Sequence, residues 1–372
     1  MRFLKLISAM LLLMSSVKAF AFESDYIKGV SKEQWSIIKK IGDPLNCEER
    51  VAKLDNLVFP KITTTANGYI IGGDYLITAE KFNKQKAILK RSLKMNKITV
   101  LDAGEYNIDE TIKVRNGAIL VGKEGVIINS SKVDNAFIIN SGSIKNLTIY
   151  NAQQVGVMVE KEATVYNVVI KNTGVDSPNN SNGSGVSSNG LNSHSNCIVS
   201  VEAFNGYNEI GQSKVTTKGG NADGFAVKFG AHDITFIDTH GHHNSDDGYD
   251  FWKGGDEAPI KTKDRTIRIF YSSANLNGKN PLTPNGDGNG FKFGSSDRFK
   301  YDPPKSDKGA RLIYGSVACY NTENGFDRNG TPMKVIGMNL SAKGNGRKAY
   351  NNVSNKRSSD KFKLKCKMFP RR

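Results

Sequence analysis

A short β-rich run recurs through most of this chain, and its spacing restricts the fold more than any other feature. The runs are Leu147-Thr148-Ile149, Val168-Val169-Ile170, Ile198-Val199-Ser200-Val201, Ile234-Thr235-Phe236-Ile237, Ile267-Arg268-Ile269-Phe270, Leu312-Ile313-Tyr314 and Val335-Ile336. Where no extra loop intervenes they lie 21 to 24 residues apart, separated by Asn, Gly and Ser turns. A strand-forming repeat of this length is one coil of a solenoid. A single coil cannot bury its apolar face, whereas stacked coils share a continuous core. The Leu-x-x-Leu-x-Leu frame of leucine-rich repeats is absent. A β-sandwich would place turns about every 8 to 12 residues without so long a register. The expected fold is therefore all-β, a parallel β-helix over residues 96–352.

Residues 22–95 read as an irregular lead-in with a short helix near 32–40 and a second over 79–95, where Ile88, Leu89 and Leu93 share a face. The second helix is placed to cap the apolar open end of the first coil. Residues 1–21 read as an export signal: Arg2 and Lys5, an apolar run around Leu11-Leu12-Leu13-Met14, then Ala19-Phe20-Ala21. No later stretch approaches the roughly 20 apolar residues of a membrane span. The expectation is an exported monomer, fully secreted or periplasmic. The formal charge is +16, and loss of Arg2, Lys5 and Lys18 leaves +13. That balance suits an anionic partner, and residues 353–372 form a basic tail. The basic residues are dispersed and match no nucleic-acid-binding module. Four cysteines are too few for a disulfide scaffold, although Cys47 could pair with Cys366. Cys197 and Cys319 are expected as small buried residues, three coils apart and too distant to bond to one another.

A tighter register runs through the second half. Asp223-Gly224-Phe225, Asp247-Gly248-Tyr249, Asn289-Gly290-Phe291 and Asn324-Gly325-Phe326 repeat one unit, at intervals of 24, 42 and 35 residues. The longer intervals hold loops at 254–264, 279–287 and 295–308, rich in Pro, Asp and Lys and suited to building a cleft. Adjacent coils are about 4.8 Å apart, so equivalent positions form ladders. The position two residues after each Gly reads Ala226, Asp250, Lys292, Asp327. Lys292 thus sits one rung above Asp250, beside Asp223, Asp246 and Asp247.

Four carboxylates so close repel strongly unless a cation joins them. Calcium takes about six to eight hard oxygens over a reach that bridges two rungs, while the absence of Cys argues against zinc. A metal beside an amine supplies the parts for β-elimination on a uronic acid: Lys292 would take the C5 proton while calcium stabilises charge building on the C6 carboxylate. Lysine is ordinarily too basic for this, near 10.4, so the cation and partial desolvation must lower it. His240-Gly241-His242-His243 does not converge on one point by strand alternation and reads as structural or substrate-lining. Tyr249 and Trp252 could stack on sugars or pack in the core, and Lys253, Lys261, Lys263 and Arg298 could clamp substrate carboxylates.

Three blocks, residues 221–228 (Asn-Ala-Asp-Gly-Phe-Ala-Val-Lys), 244–252 (Asn-Ser-Asp-Asp-Gly-Tyr-Asp-Phe-Trp) and 288–292 (Gly-Asn-Gly-Phe-Lys), closely resemble family 9 pectate lyases in content, order and approximate spacing. Glu323-Asn324-Gly325-Phe326-Asp327 continues the pattern. The resemblance covers roughly residues 95–350. It implies a right-handed parallel β-helix, calcium held by Asp223, Asp246, Asp247 and Asp250, Lys292 as the base, and an acidic pectic polysaccharide as substrate. The lead-in before residue 95 and the Ser/Asn/Gly-rich stretch 173–196 depart from the family's pattern. Two rival readings keep the fold. A β-helical glycoside hydrolase would use clustered aspartates without a lysine or metal. A non-catalytic adhesin or fibre would have no reason to align Asp250 with Lys292.

Overall fold

The structure, a computed structural model, describes residues 29–43, 45–57, 75–174, 183–207, 221–252, 266–278, 286–294, 309–331, 333–356 and 366. The expected signal at 1–21, most of the three cleft loops, Lys253, Lys261, Lys263, Arg298 and the tail apart from Cys366 lie outside these residues.

Every strand pairing among the described residues is parallel, with each strand bonded to its counterpart one coil on. Ser143–Tyr150 pairs with Thr164–Lys171, that strand with His194–Phe204, and that in turn with His232–His242. Pairing begins at Tyr75–Ile77, ahead of the boundary expected at residue 96, and reaches Asn355–Lys356. Two sheets result, one of 16 strands and one of nine. The larger sheet covers two faces of each coil, because its long strands bend. Residues 234–237 pair with Ile267–Phe270, whereas 240–242 pair with Ser273–Asn275. The bend falls at Asp238, and at Asn146, Asn167 and Ser200 on the coils below, all with φ of 50° to 56°. Asn and Asp tolerate this left-handed geometry better than other side-chain-bearing residues, which is why these turns read as Asn-rich. Their amides also stack, Asn167 Nδ2 donating to Asn146 Oδ1 at 2.7 Å.

The core runs up the inside of the coils. Phe225, Tyr249, Phe291 and Phe326 stack at ring separations of 4.7, 4.4 and 4.9 Å, and Tyr350 extends the column at 5.6 Å. Tyr249 is fully buried with its hydroxyl bonded to Thr239, so it packs the core and cannot meet a sugar. The glycine preceding each ring is required by close approach. A Cβ on Gly224, Gly248 or Gly290 would lie 2.5 to 2.8 Å from the carbonyl oxygen of the next glycine in the column.

The described part of the lead-in holds more helix than its sequence suggested. The helix Lys32–Ile41 starts from a capping box between Ser31 and Gln34. A second helix, Cys47–Asp55, was not anticipated. Both lie on the outer face of the large sheet, where Trp35 and Ile38 pack against Val199, Ile237 and Phe270. The capping helix is Phe82–Ser92, whose Phe82 and Leu89, with Leu93 just after it, join the main core as its position implied.

The cysteines correct the sequence reading. Cys47 bonds to Cys197 and Cys319 to Cys366, rather than Cys47 to Cys366. Cys197 points outward beside Val199, so the helix lying on that face, not the distant tail, brings the partner thiol within reach.

Candidate active site

The site forms where two coil turns meet. The strand Asp223–Lys228 lies one rung below Tyr249–Asp250, which lies one rung below Phe291–Lys292. Ala226, Asp250, Lys292 and Asp327 are direct partners across successive strands. Gly224 N–H donates to the Asp247 carbonyl at 3.0 Å, which sets Asp247 above Asp223. The turn carrying Asp246 and Asp247 is fixed by an internal amide ladder, Asn244 to Asn277 to Asn321 to Asn345, with links of 3.1, 2.9 and 2.9 Å. On its outer side the backbone of Gly286 presses against Asp246, and a Cβ there would lie 2.6 Å from Asp246 Cα.

All five residues singled out in the sequence converge. Asp223 and Asp247 are fully buried, and Asp246 and Asp250 are 5% exposed. Asp223 Oδ1 accepts from Asp247 N–H at 3.2 Å. Asp247 Oδ1 accepts from Asn289 N–H at 2.6 Å and from its side-chain amide at 3.0 Å. Asp246 Oδ1 accepts from Asp287 N–H at 2.7 Å. Lys292 Nζ lies 3.0 Å from Asp247 Oδ2, 3.0 Å from Asp287 Oδ2 and 4.0 Å from Asp250 Oδ1.

Two charged residues escaped the sequence reading. Lys228, wholly buried, donates to Asp223 Oδ2 at 2.9 Å and sits 3.2 Å from Asp250 Oδ2. Strand alternation from Ala226 would have placed it on this face. Asp287 extends the cluster toward solvent, and its only signal was proximity in sequence to Lys292.

The electrostatics follow from this crowding. Burial pushes the Asp223 carboxyl up to about 7 against the pull of Lys228, with Asp250 and Asp247 adding repulsion. Burial likewise raises Asp246 to about 7, partly offset by Lys292, and lifts Asp247 well above the carboxylate range. For Lys292, burial would lower the amine, but Asp247, Asp250, Asp246 and Asp287 outweigh it and raise it. The lowered pKa expected from the sequence therefore requires a divalent cation to offset these same carboxylates.

Among the described residues, five carboxylates face two amines in the cluster. Ligand oxygens of Asp223, Asp247 and Asp250 lie within 4.8 Å of one another, as do those of Asp246, Asp247 and Asp287. Asp247 Oδ2 and Asp250 Oδ1 are buried and accept no hydrogen bond, Asp247 Oδ2 having only the off-axis approach of Lys292. An all-oxygen, all-carboxylate donor set with unsatisfied buried oxygens fits a hard divalent cation such as calcium.

The histidines stand apart from this cluster. His240 bonds Ser273 and Asp238, while His242 bonds Glu202 at 2.9 Å and stacks on Phe204. These are structural contacts of the large sheet. Trp252 is half-buried with its ring set edge-on to Phe229 at 5.2 Å.

A family model for Pel9A-like right-handed β-helix regions matches residues 67–361. Among solved structures, the pectate lyase Pel9A superposes with a TM-score of 0.54 at 20% identity, over 74% of this chain and 72% of that one. A rhamnogalacturonan lyase gives a TM-score of 0.47 at 19% identity, over 67% and 65% of the two chains. The A-module of the Azotobacter vinelandii mannuronan C-5 epimerase AlgE4 gives 0.39 at 11% identity, over 76% and 97%. No curated protein matches the sequence. With four-fifths of its length inside that family model and its coils parallel throughout, the chain belongs to the Pel9A-like right-handed β-helix family.

Proposed function

We propose that the protein is an exported polysaccharide lyase that cleaves a pectate-type uronan by calcium-dependent β-elimination, with Lys292 as the base. The observation that carries this reading is the amine of Lys292 set one rung above Asp250, against buried carboxylates whose oxygens lack donors. Asp223, Asp246, Asp247 and Asp250 would hold calcium, which would supply positive charge to offset the carboxylates around Lys292 and to stabilise negative charge developing on the uronate.

Lys292 rather than Lys228 suits the base. Its side chain is 12% exposed at the mouth of the cluster, whereas that of Lys228 is 4% exposed. The neutral amine of Lys292 takes the C5 proton, the released electron pair forms the C4–C5 double bond, and the C4–oxygen bond breaks. Water protonates the departing oxygen. Asp287, on the solvent side, holds the amine in place. Two disulfides suit an oxidising compartment and support export.

A hydrolase needs a carboxyl pair free to act as acid and base. Here Lys228 and Lys292 contact three of the four aspartates, which favours the lyase. Polygalacturonate incubated with the protein should give unsaturated, ultraviolet-absorbing uronides in calcium and none in chelator. Saturated reducing ends without absorbance would return the hydrolase reading.

A further inference from the structure

Lys228 is the charged side chain of the site that the elimination leaves unused. It closes the strand Asp223–Lys228, and its ammonium spans two rungs, bonding Asp223 Oδ2 at 2.9 Å on its own coil and approaching Asp250 Oδ2 at 3.2 Å on the next. The residue is 3% exposed, so no part of a polymeric substrate can reach the amine. By engaging one oxygen of each carboxylate, it turns the other oxygen of Asp250 toward Lys292, where that atom accepts no hydrogen bond.

We infer that Lys228 is a built-in counter-ion, a positioning residue that pairs with Asp223 and Asp250 and fixes their orientation so that the cation site is preformed. A cation and Lys228 then neutralise the same two carboxylates. Each partly substitutes for the other, and their effects on stability are coupled rather than additive. Removing one member of a buried pair exposes the other to the full cost of an unpaired charge, while removing both is far less damaging. The inference rests on the proposed calcium site only for its calcium arm. The charge-balance arm concerns this chain's own residues.

The test is a double-mutant cycle read by thermal unfolding in chelator at pH 8, repeated in calcium. Lys228→Met keeps the volume and removes the charge, and should lower the melting temperature by about 5–10 °C without calcium. Asp223→Asn should be more favourable in that background than in the wild type, restoring at least half of the loss. Calcium should raise the melting temperature of Lys228→Met more than that of the wild type. Should Lys228→Met fail to fold, recovery of a folded Lys228→Met/Asp223→Asn protein is itself the expected result. Additive losses in the double variant would overturn the inference and reduce Lys228 to packing. Coupling in chelator with no calcium response in the wild type would uphold the counter-ion and defeat the calcium reading instead.

Discussion

Replacing Asp246 with asparagine should make the calcium-free protein more stable while damaging its site. Asp246 is buried, and its carboxyl is pushed up to about 7, first by burial and then by Asp223, Asp287 and Asp250, with Lys292 pulling the other way. The unfolded chain titrates this group near 4. Between about pH 4 and pH 7 the folded protein therefore binds more protons than the unfolded one. The stability linked to Asp246 is intact below pH 4 and is lost as pH rises through 7. Above that pH the deficit is about 4 kcal/mol, and at pH 5 about 1.5 kcal/mol. An amide resembles the protonated acid and keeps an oxygen for the Asp287 N–H now held at 2.7 Å. Asp246→Asn should thus raise the melting temperature in chelator at pH 8 by roughly 8 °C, taking about 2 °C per kcal/mol for a chain of this size. The gain should shrink to a few degrees at pH 5 and vanish near pH 4. Circular dichroism melts of both proteins across that range measure it, and calcium added at pH 8 should stabilise the variant less than the wild type. A variant less stable than wild type in chelator at pH 8, or a gain that persists at pH 4, would refute the reasoning.

Lys292→Ala should cut turnover by about 10²–10⁴-fold with little change in KM, the usual scale for a lost general base. Lys292→Arg should not rescue it, since guanidinium stays charged at any usable pH, so near-normal turnover of that variant would make Lys292 a clamp instead. Gly286→Ala forces a methyl against Asp246 Cα and should abolish calcium-induced stabilisation while leaving β-type circular dichroism intact, whereas an unchanged calcium response would separate Gly286 from the site. Replacing Cys47 and Cys197 with serine removes a link across 150 residues and should cost about 3–5 kcal/mol. Trp35 fluorescence should shift to the red as its helix loosens, and an unshifted spectrum would show that packing alone holds the helix.

The regular parts of this fold were legible because each is a local pattern repeated. Strand runs at a fixed period and left-handed asparagines at the bends are written residue by residue, and stacking does no more than multiply them. The ladder from Ala226 through Asp250 and Lys292 to Asp327 follows from the glycines that fix each coil's turn. Lys228 was missed although alternation puts it on the face of Ala226, because alternation does not say that its amine reaches an aspartate five residues before it. Asp287 was hidden because it follows a loop whose path no register predicts.

What the sequence determined by itself, then, is the coil, its stacking and the alignment of Asp223, Asp246, Asp247, Asp250 and Lys292 over three rungs, all consequences of a backbone repeat that sets equivalent positions one above another. Only the tertiary structure decided which charges meet and which cysteines bond. Helix Cys47–Asp55 had to lie on the outer sheet before Cys47 could reach Cys197. Four carboxylates had to be buried together, with Asp287 at the solvent edge, before burial and then mutual repulsion could raise Asp246 and Asp223 and the cluster could raise Lys292. Burial and Coulomb energy depend on distances through space, and a sequence specifies those only where the chain repeats.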